Sequence, residues 1–196
     1  MLKVGITGGI GSGKTTVCRI FELLNIPVFY ADDEAKKLMV NNLELVDSIK
    51  IAFGEDAYYE NGELNRKYIS DIVFKDKDKL NMLNSLVHPV VFKAMEIWAS
   101  KQKSKYVLKE AALLFESGSY RDNDYNILVS SDLDLRIERI AKRDLMSKDQ
   151  IKARINTQFS EEVKEKLADF LIYNNESQFL IPQVLKLHHR FLGYED

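Results

Sequence analysis

The fold is decided by the stretch Gly8-Gly9-Ile10-Gly11-Ser12-Gly13-Lys14-Thr15. It matches the pattern Gly-x-x-x-x-Gly-Lys-[Ser/Thr] of a loop that surrounds the phosphates of a nucleoside triphosphate. Such a loop needs glycine because a Cβ would block both the positive φ angles and the close approach of an anion. The stretch therefore predicts a nucleotide site near the amino end of the chain.

The segments on either side of this loop have the expected periodicity. Residues 2–7 can form a short buried strand, and residues 16–24 have apolar side chains at helical spacing. Strand, loop and helix in this order place backbone N–H groups and a helix N-terminus around phosphate oxygens. A glycine-rich turn that merely precedes a helix is the alternative, which the spacing, the lysine and the hydroxyl disfavour. The residues predicted to bind the nucleotide are Gly9, Gly11, Ser12, Gly13, Lys14, Thr15 and Thr16.

Two side chains of the loop have specific predicted roles. Lys14 would bridge the β- and γ-phosphates, and the Thr15 hydroxyl would ligate Mg²⁺.

The composition excludes several classes of protein. The chain has 196 residues, and its 28 basic and 30 acidic residues give a net charge of −2. This balance gives no electrostatic reason to expect a nucleic-acid partner. No apolar run approaches the about 18 residues that a membrane helix needs. The one cysteine, Cys18, cannot form an internal disulfide and is expected to be buried. We expect a cytoplasmic protein.

Strand patterns alternate with helix patterns along the chain. The other predicted strands are 26–30, 106–110, 125–129 and 170–173. The predicted helices outside the central region are 16–24, 32–39, 132–144, 147–155, 161–167 and 177–191. This alternation is typical of an α/β protein whose parallel sheet has helices on both faces. The sequence therefore predicts a three-layer fold around a five-stranded parallel sheet.

Residues 41–104 separate the second strand from the third and lack strand patterns. The predicted helix breaks are Asn41-Asn42, Gly54, Asn61-Gly62 and His88-Pro89. A helical block of this length is too long for a simple crossover, so we interpret it as a lid or a substrate-binding insertion. The nucleotide-binding core is then formed by residues 1–40 and 105–196.

Three acidic residues are candidates for chemistry. Asp32 follows the second strand, where the carboxyl ends of parallel strands border a ligand crevice. Its candidate roles are to accept the proton of an attacking hydroxyl, to orient that hydroxyl or to help hold Mg²⁺, and the alternative is a helix N-cap. Glu110 ends the third strand and is either a residue that organises Mg²⁺ or a charge at the wet end of the strand. Glu116 is a candidate for contact with the acceptor substrate.

A cluster of basic residues begins at Arg136. Arg136, Arg139 and Arg143 are spaced three and four residues apart and therefore share one helix face. Arginines delivered from a lid can neutralise the charge that develops on a transferred phosphoryl group. Acidic residues are interleaved with them, so a solvated face of ion pairs is the alternative. We favour Arg143 as a catalytic residue and Arg139 as a nucleotide contact, with a small helical lid over about residues 144–160.

The order of these pieces resembles that of the dephospho-coenzyme A kinase family. Gly5 to Thr15 matches the family opening Gly-[Leu/Ile]-Thr-Gly-Gly-Ile-Gly-Ser-Gly-Lys-[Ser/Thr] without a gap. The other matches are Tyr30-Ala31-Asp32, Leu64-Asn65-Arg66, His88-Pro89, Glu110 to Glu116, Arg139 to Asp144 and Ala168-Asp169 through Asn174. Two departures concern acids: Tyr30 replaces the first acid of an Asp-Ala-Asp motif, and Glu110 replaces an aspartate.

The resemblance implies a fold and a reaction. The fold is a P-loop NTPase fold related to nucleoside monophosphate kinases, with a helical coenzyme A-binding insertion over residues 41–104 and a small lid. The reaction transfers the γ-phosphate of ATP to the ribose 3′-hydroxyl of dephospho-coenzyme A, in the last step of coenzyme A synthesis.

The resemblance also implies roles for individual residues. Asp32 would deprotonate the ribose hydroxyl, and Arg143 would close over the departing phosphoryl group. Thr15 and Glu110 would hold Mg²⁺. The residues implied to bind the substrate are Arg66, His88 and Glu116.

Two other functions are alternatives to this one. A different small-molecule kinase on the same core, such as an adenylate- or uridylate-type enzyme, would differ only in its acceptor. A regulatory GTP switch needs a guanine-reading [Asn/Thr]-Lys-x-Asp segment after a strand. The nearest run, Ala141-Lys142-Arg143-Asp144, lacks the first residue and lies within a predicted helix. The sequence leaves the oligomeric state open.

Overall fold

The chain forms a five-stranded parallel sheet. The structure, a computed structural model, describes residues 1–144 and 147–194. The strands are β1 (Leu2–Thr7), β2 (Val28–Tyr30), β3 (Tyr106–Glu110), β4 (Tyr125–Ser130) and β5 (Phe170–Tyr173). Their spatial order is β2-β3-β1-β4-β5, and all neighbouring strands are parallel. The predicted α/β fold with five parallel strands is confirmed.

Helices connect the strands in the described part of the chain. They are α1 (Lys14–Leu23), α2 (Ala31–Asn41), α3 (Leu43–Phe53), α4 (Arg66–Val73), α5 (Lys77–Ser100), α6 (Leu133–Asp144), α7 (Lys148–Ile155), α8 (Glu161–Leu167) and α9 (Leu180–Leu192). Short 3₁₀ turns lie at Glu55–Ala57 and Ser119–Asp122. Several helices start where a polar side chain accepts backbone N–H groups of the first turn, as Asn42 does before α3 and Ser160 before α8.

The sheet is buried on both faces. One core cluster joins it to α1 and α9, and its members are Val4, Ile6, Val17, Cys18, Phe21, Ile26, Tyr106, Leu108, Ile127, Val129, Ile172, Val184, Leu187 and Phe191. Successive residues of a strand point to opposite faces, so the fully buried Val107 and Leu128 lie on the other face. Burial of both faces is the usual state of a parallel sheet.

The register of the sheet places the carboxyl end of β1 beside two other strand ends. Ile6 is paired with Glu110 of β3, and Thr7 is paired with Leu128 of β4. Tyr30, the last residue of β2, is also paired with Glu110. Ligands of open α/β sheets bind outside this edge, so the loop that follows Thr7 occupies the expected place for a binding site.

One predicted helix break is wrong. The pair His88-Pro89 lies inside α5, although proline removes a backbone hydrogen bond. Buried residues continue at four-residue spacing on both sides of the proline, from Val87 to Ala99, and this packing overrides the local signal. The helix starts instead after Asp76, whose side chain accepts two backbone N–H groups. Helix α9 also starts later than predicted, at Leu180.

The chain divides into two compact units. The first contains residues 1–30 and 102–196, and the second contains residues 31–101. Helix α2 belongs to the second unit because it packs against α3 and α5. The second unit therefore begins and ends earlier than the predicted insertion over residues 41–104. None of the helices within the described ranges is long and apolar enough to cross a membrane.

Truncation of Phe21 tests the core beneath α1. The ring is fully buried and packs edge-on against Tyr106. We expect Phe21→Ala to lower the free energy of unfolding by about 3–5 kcal/mol, the usual cost of truncating a buried aromatic side chain. Leu23, 83% exposed on the same helix, provides the control, and Leu23→Ala should change stability by less than about 0.5 kcal/mol. Urea unfolding measures both, and equal losses would contradict this description of the core.

Candidate active site

The predicted phosphate loop runs from the end of β1 into the first turn of α1. Gly11 and Gly13 have φ angles of 82° and 92°, which other residues rarely adopt. The Ser12 N–H donates to the Gly9 carbonyl at 3.0 Å, and the Thr16 N–H donates to the Gly13 carbonyl at 3.0 Å. The loop therefore curls ahead of a helix N-terminus, the arrangement that favours anions.

The glycines of this loop are also required by neighbouring side chains. A Cβ on Gly9 would overlap the Arg136 guanidinium, and a Cβ on Gly13 would overlap the Asn174 amide. Asn174 Nδ2 donates to the Ser12 carbonyl at 2.8 Å. Other parts of the protein thus pack directly on the backbone of the loop.

Both peptide groups that flank the Ile10 Cα are held by side chains. Arg136 Nε donates to the Ile10 carbonyl at 3.0 Å, and the Ile10 N–H donates to Gln158 Oε1 at 3.0 Å. Gln158 Nε2 donates in turn to the Ala112 carbonyl, beyond β3. Arg136 is 5% exposed and pairs with Glu161 at 3.3 Å. Burial lowers the pKa of Arg136, and Glu161 opposes that shift.

The sequence does not predict these contacts, and Arg136 is not one of the two arginines that its pattern favours for a role in the site. A partial signal was present, because Arg136 precedes the buried Ile140 by one helical turn. The position of Gln158 next to the loop depends on the tertiary fold and has no local signature.

Lys14, Thr15 and Thr16 occupy the first turn of α1. Lys14 Nζ donates to the Gly8 carbonyl at 3.0 Å, so the ammonium lies over the loop. Thr15 and Thr16 are exposed.

Glu110 lies close to α1, at the carboxyl end of β3. The Cys18 thiol is one helical turn beyond Lys14, and burial raises its pKa. Glu110 raises that pKa further, whereas Lys14 lowers it, so both charges act on the same thiol. Nearby, the Tyr30 hydroxyl donates to Glu22 Oε1 at 3.0 Å, and burial raises the pKa of Tyr30. The tyrosine that departs from the family motif is therefore a neutral hydrogen-bond donor.

Asp32 is the second residue of α2, two positions after β2 ends, and belongs to the second compact unit. It lies inside the first turn of α2, which begins at Ala31. The neighbouring Asp33 pairs with Lys36 at 2.6 Å on the surface. The contact predicted between Asp32 and the reacting groups remains a prediction.

The two favoured arginines of α6 have different surroundings. Arg139 Nη1 donates to the Asn174 carbonyl at 3.0 Å and to Ser131 Oγ at 3.1 Å. Because Asn174 donates to the Ser12 carbonyl, it connects Arg139 with the loop. Arg143 is 64% exposed, and its hydrogen bonds within the described residues go to the Asp144 carboxylate, both at 2.7 Å. Asp144 raises the pKa of Arg143. The structure thus connects Arg139 with the loop through Asn174, and the catalytic role of Arg143 remains a prediction.

The predicted lid over residues 144–160 is described only in part. Residues 145–146 lie outside the described residues, and the remainder contains α7 and the turn at Gln158.

The three predicted substrate residues are divided between the two units. Arg66 is exposed at the first position of α4, and His88 is exposed within α5. Glu116 belongs to the first unit, where Oε1 accepts the Phe159 N–H at 2.7 Å and lies 4.0 Å from Lys164 Nζ. The structure thus gives Glu116 Oε1 partners within the protein, and its contact with the acceptor substrate remains a prediction.

Comparison with known proteins identifies the family. A sequence model of dephospho-CoA kinase matches residues 2–179. The chain belongs to the dephospho-CoA kinase family. The dephospho-CoA kinase of Salinibacter ruber is 41% identical over 180 residues, which cover 89% of each chain.

Two solved structures resemble this member of the dephospho-CoA kinase family over nearly its whole length. The crystal structure of TT1252 from Thermus thermophilus has a TM-score of 0.87 and 31% sequence identity, with 97% of each chain covered. The dephospho-CoA kinase from Campylobacter jejuni has a TM-score of 0.69 and 27% sequence identity, with 98% of each chain covered.

Two glycines with the same backbone conformation test the loop. Gly13→Ala and Gly193→Ala both force alanine to φ angles near +90° and +80°, at a cost of about 1–2 kcal/mol in stability. A Cβ on Gly193 meets no atom within 4 Å, whereas a Cβ on Gly13 meets Asn174. We expect only Gly13→Ala to weaken ATP binding, by at least about tenfold or 1.4 kcal/mol. Isothermal titration of both variants measures the effect, and equal affinities would contradict the loop assignment.

Proposed function

We propose that this protein transfers the γ-phosphate of ATP to the ribose 3′-hydroxyl of dephospho-CoA, which yields CoA and ADP in the last step of CoA synthesis. The observation that carries the proposal is the phosphate loop ahead of α1, with Gly11 and Gly13 at positive φ. The loop supports ATP as the donor. The match to dephospho-CoA kinases over residues 2–179 supports the acceptor.

The loop is prepared for the charge of a triphosphate. Helix α1 presents its N-terminus and the partial positive charge of its dipole to the loop. Lys14 donates to a neutral carbonyl, and a phosphate oxygen is a stronger acceptor because a bond between two ionised groups is charge-assisted. We propose that Lys14 exchanges the Gly8 carbonyl for the β- and γ-phosphates.

Thr15 and Glu110 are the residues that we propose to hold Mg²⁺. A hydroxyl and a carboxylate are the hard oxygen ligands that this ion prefers. Both belong to the first unit, and the electrostatic effect of Glu110 on Cys18 supports its position beside α1. Few protein ligands are needed, because Mg²⁺ keeps waters and binds the substrate phosphates. When bound, the ion neutralises charge on the phosphates.

Asp32 is the residue that we propose to orient and deprotonate the ribose hydroxyl. Its place in the sequence, two residues after the carboxyl end of β2, supports this role, because ligands of open α/β sheets bind beyond the carboxyl ends of the strands. Transfer in line from ATP to this hydroxyl needs positioning and electrostatic stabilisation more than covalent chemistry. A carboxylate that holds the hydroxyl in place and accepts its proton meets both needs.

Other residues keep the roles that the family motifs imply. We propose Arg66 and His88 as contacts of the CoA portion, within the second unit. Arg139 is proposed to contact the nucleotide, which its hydrogen bond to Asn174 beside the loop supports. Arg143 would have to leave Asp144 to reach a phosphoryl group, and we propose that it makes this exchange when the substrates are bound.

A panel of acceptors tests the reaction. Purified protein is incubated with ATP, Mg²⁺ and either dephospho-CoA, AMP, UMP or shikimate, and the release of ADP is followed. We expect ADP release to depend on dephospho-CoA, with phosphate on the 3′-oxygen of the product. Preference for a nucleoside monophosphate would favour a different small-molecule kinase. Tight GTP binding without acceptor-dependent turnover would favour a GTP switch.

Asp32→Asn tests the proposed base. The amide is isosteric but cannot accept a proton, so kcat should fall by on the order of 100-fold or more, with little change in the KM for ATP. Asp33→Asn is the matched control, because Asp33 is exposed and pairs with Lys36; its kcat should stay within about twofold of wild type. Unchanged turnover of Asp32→Asn at saturating substrates would remove Asp32 from this role.

Lys14→Ala tests the proposed phosphate contact. Loss of the ammonium should weaken ATP binding by at least about tenfold, or 1.4 kcal/mol, and should also lower kcat. The affinity for dephospho-CoA should remain close to that of wild type. Lys37→Ala, which removes a surface ion pair with Glu34, serves as the control. Retained ATP affinity and rate in Lys14→Ala would contradict the assignment.

A further inference from the structure

Helix α8 buries a charged residue and exposes an apolar one. Lys164 is 1% exposed, whereas its neighbour Val163 is 42% exposed. This is the reverse of the usual pattern, because removal of an ammonium from water is costly unless partners compensate it. The surroundings of Lys164 must therefore supply negative charge.

Two carboxylates provide this compensation. Lys164 Nζ lies 4.0 Å from Glu116 Oε1, and the Glu116 side chain is 13% exposed. Burial lowers the pKa of Lys164, and the charges of Glu116 and Glu161 oppose that shift. Glu116 Oε2 and Glu161 Oε1 are also buried, and neither has a hydrogen-bond partner among the described residues. Lys164 thus lies beside the largely buried Glu116, and Glu161, three residues earlier on α8 with its side chain 27% exposed, adds negative charge nearby.

Glu161 is connected to the phosphate loop through an arginine. Glu161 Oε2 accepts a hydrogen bond from Arg136 Nη1 at 3.3 Å. The same guanidinium donates through Nε to the Ile10 carbonyl at 3.0 Å. The charge on Glu161 therefore influences how Arg136 divides its hydrogen bonds between the loop and α8.

Glu116 is connected to Ile10 by another route. Glu116 Oε1 accepts the Phe159 N–H at 2.7 Å. The preceding residue, Gln158, accepts the Ile10 N–H at 3.0 Å. Glu116 thus fixes the backbone that carries Gln158, and both routes from Lys164 end on the two sides of Ile10.

We propose that Lys164 is a positioning residue for the phosphate loop. Its ammonium neutralises Glu116 and Glu161, which keeps Arg136 and Gln158 on Ile10 and the loop in the geometry that binds a triphosphate. Lys164 acts through these side chains. The inference rests on the proposed function, in which the loop binds ATP.

Lys164→Met tests this role, because methionine keeps the volume and removes the charge. We expect the Kd and the KM for ATP to rise by about tenfold, while the KM for dephospho-CoA stays within about twofold. Lys166→Met is the control on the exposed side of α8 and should match wild type. If Lys164 only stabilised the fold, its loss would not raise the KM for ATP while it left the KM for dephospho-CoA unchanged.

A double variant that removes one positive and one negative charge should recover ATP binding. In Lys164→Met combined with Glu116→Gln, one cation and one carboxylate are removed, and the glutamine oxygen can still accept the Phe159 N–H. We expect this variant to fold and to bind ATP within about threefold of wild type.

Each result decides the proposal. Wild-type ATP affinity in Lys164→Met, an equal loss of affinity for both substrates, or a folded double variant without recovered ATP affinity would overturn it. If Lys164→Met does not fold, the double variant decides alone, and its failure to fold would also overturn the proposal.

The proposed reaction fails in a different measurement. Wild-type protein that binds ATP but releases no ADP with dephospho-CoA would refute the reaction. Titration of ATP into the same variants would still decide the role of Lys164.

Discussion

The hydrogen bonds on the two sides of Ile10 are the constraint on which the candidate site depends. A glycine-rich loop is flexible by composition, and phosphoryl transfer is catalysed mainly by positioning and electrostatics. Arg136 and Gln158 hold the loop from outside, so binding of a triphosphate does not have to order its backbone. Burial of the Arg136 guanidinium costs free energy. Its ion pair with Glu161 and its hydrogen bond to the Ile10 carbonyl offset this cost.

The parallel sheet brings these distant side chains to the loop. Arg136, Gln158 and Asn174 are separated from their loop partners by 126, 148 and 162 positions in sequence. They become neighbours because β4 and β5 run parallel to β1 and deliver the following segments to the same edge. The sheet therefore sets the shape of the loop as well as its location.

Local patterns predicted most of the fold, and the phosphate loop itself, because each depends on short-range rules. Strand and helix periodicity located all five strands, and the glycine spacing located the residues around Lys14. The same rules failed at Pro89, where buried residues on both sides of the proline stabilise a continuous α5. Local rules also could not assign the partners of the arginines, because Arg136 and Arg143 have similar local contexts. Arg136 is buried against the loop, whereas Arg143 pairs with Asp144 at the surface. Glu116 shows the same limit, since its partner Phe159 lies far along the chain.

The position of Cys18 makes alkylation of its thiol a measure of how often α1 separates from the sheet. The thiol is fully buried between α1 and the sheet, and burial together with Glu110 raises its pKa. Alkylating reagents attack the thiolate, so the folded chain resists them. Because the chain has one cysteine, any modification reports molecules in which α1 has separated from the strands beneath it. A nucleotide that ties the first turn of α1 to the loop would slow that separation, and the alkylation rate would fall with it.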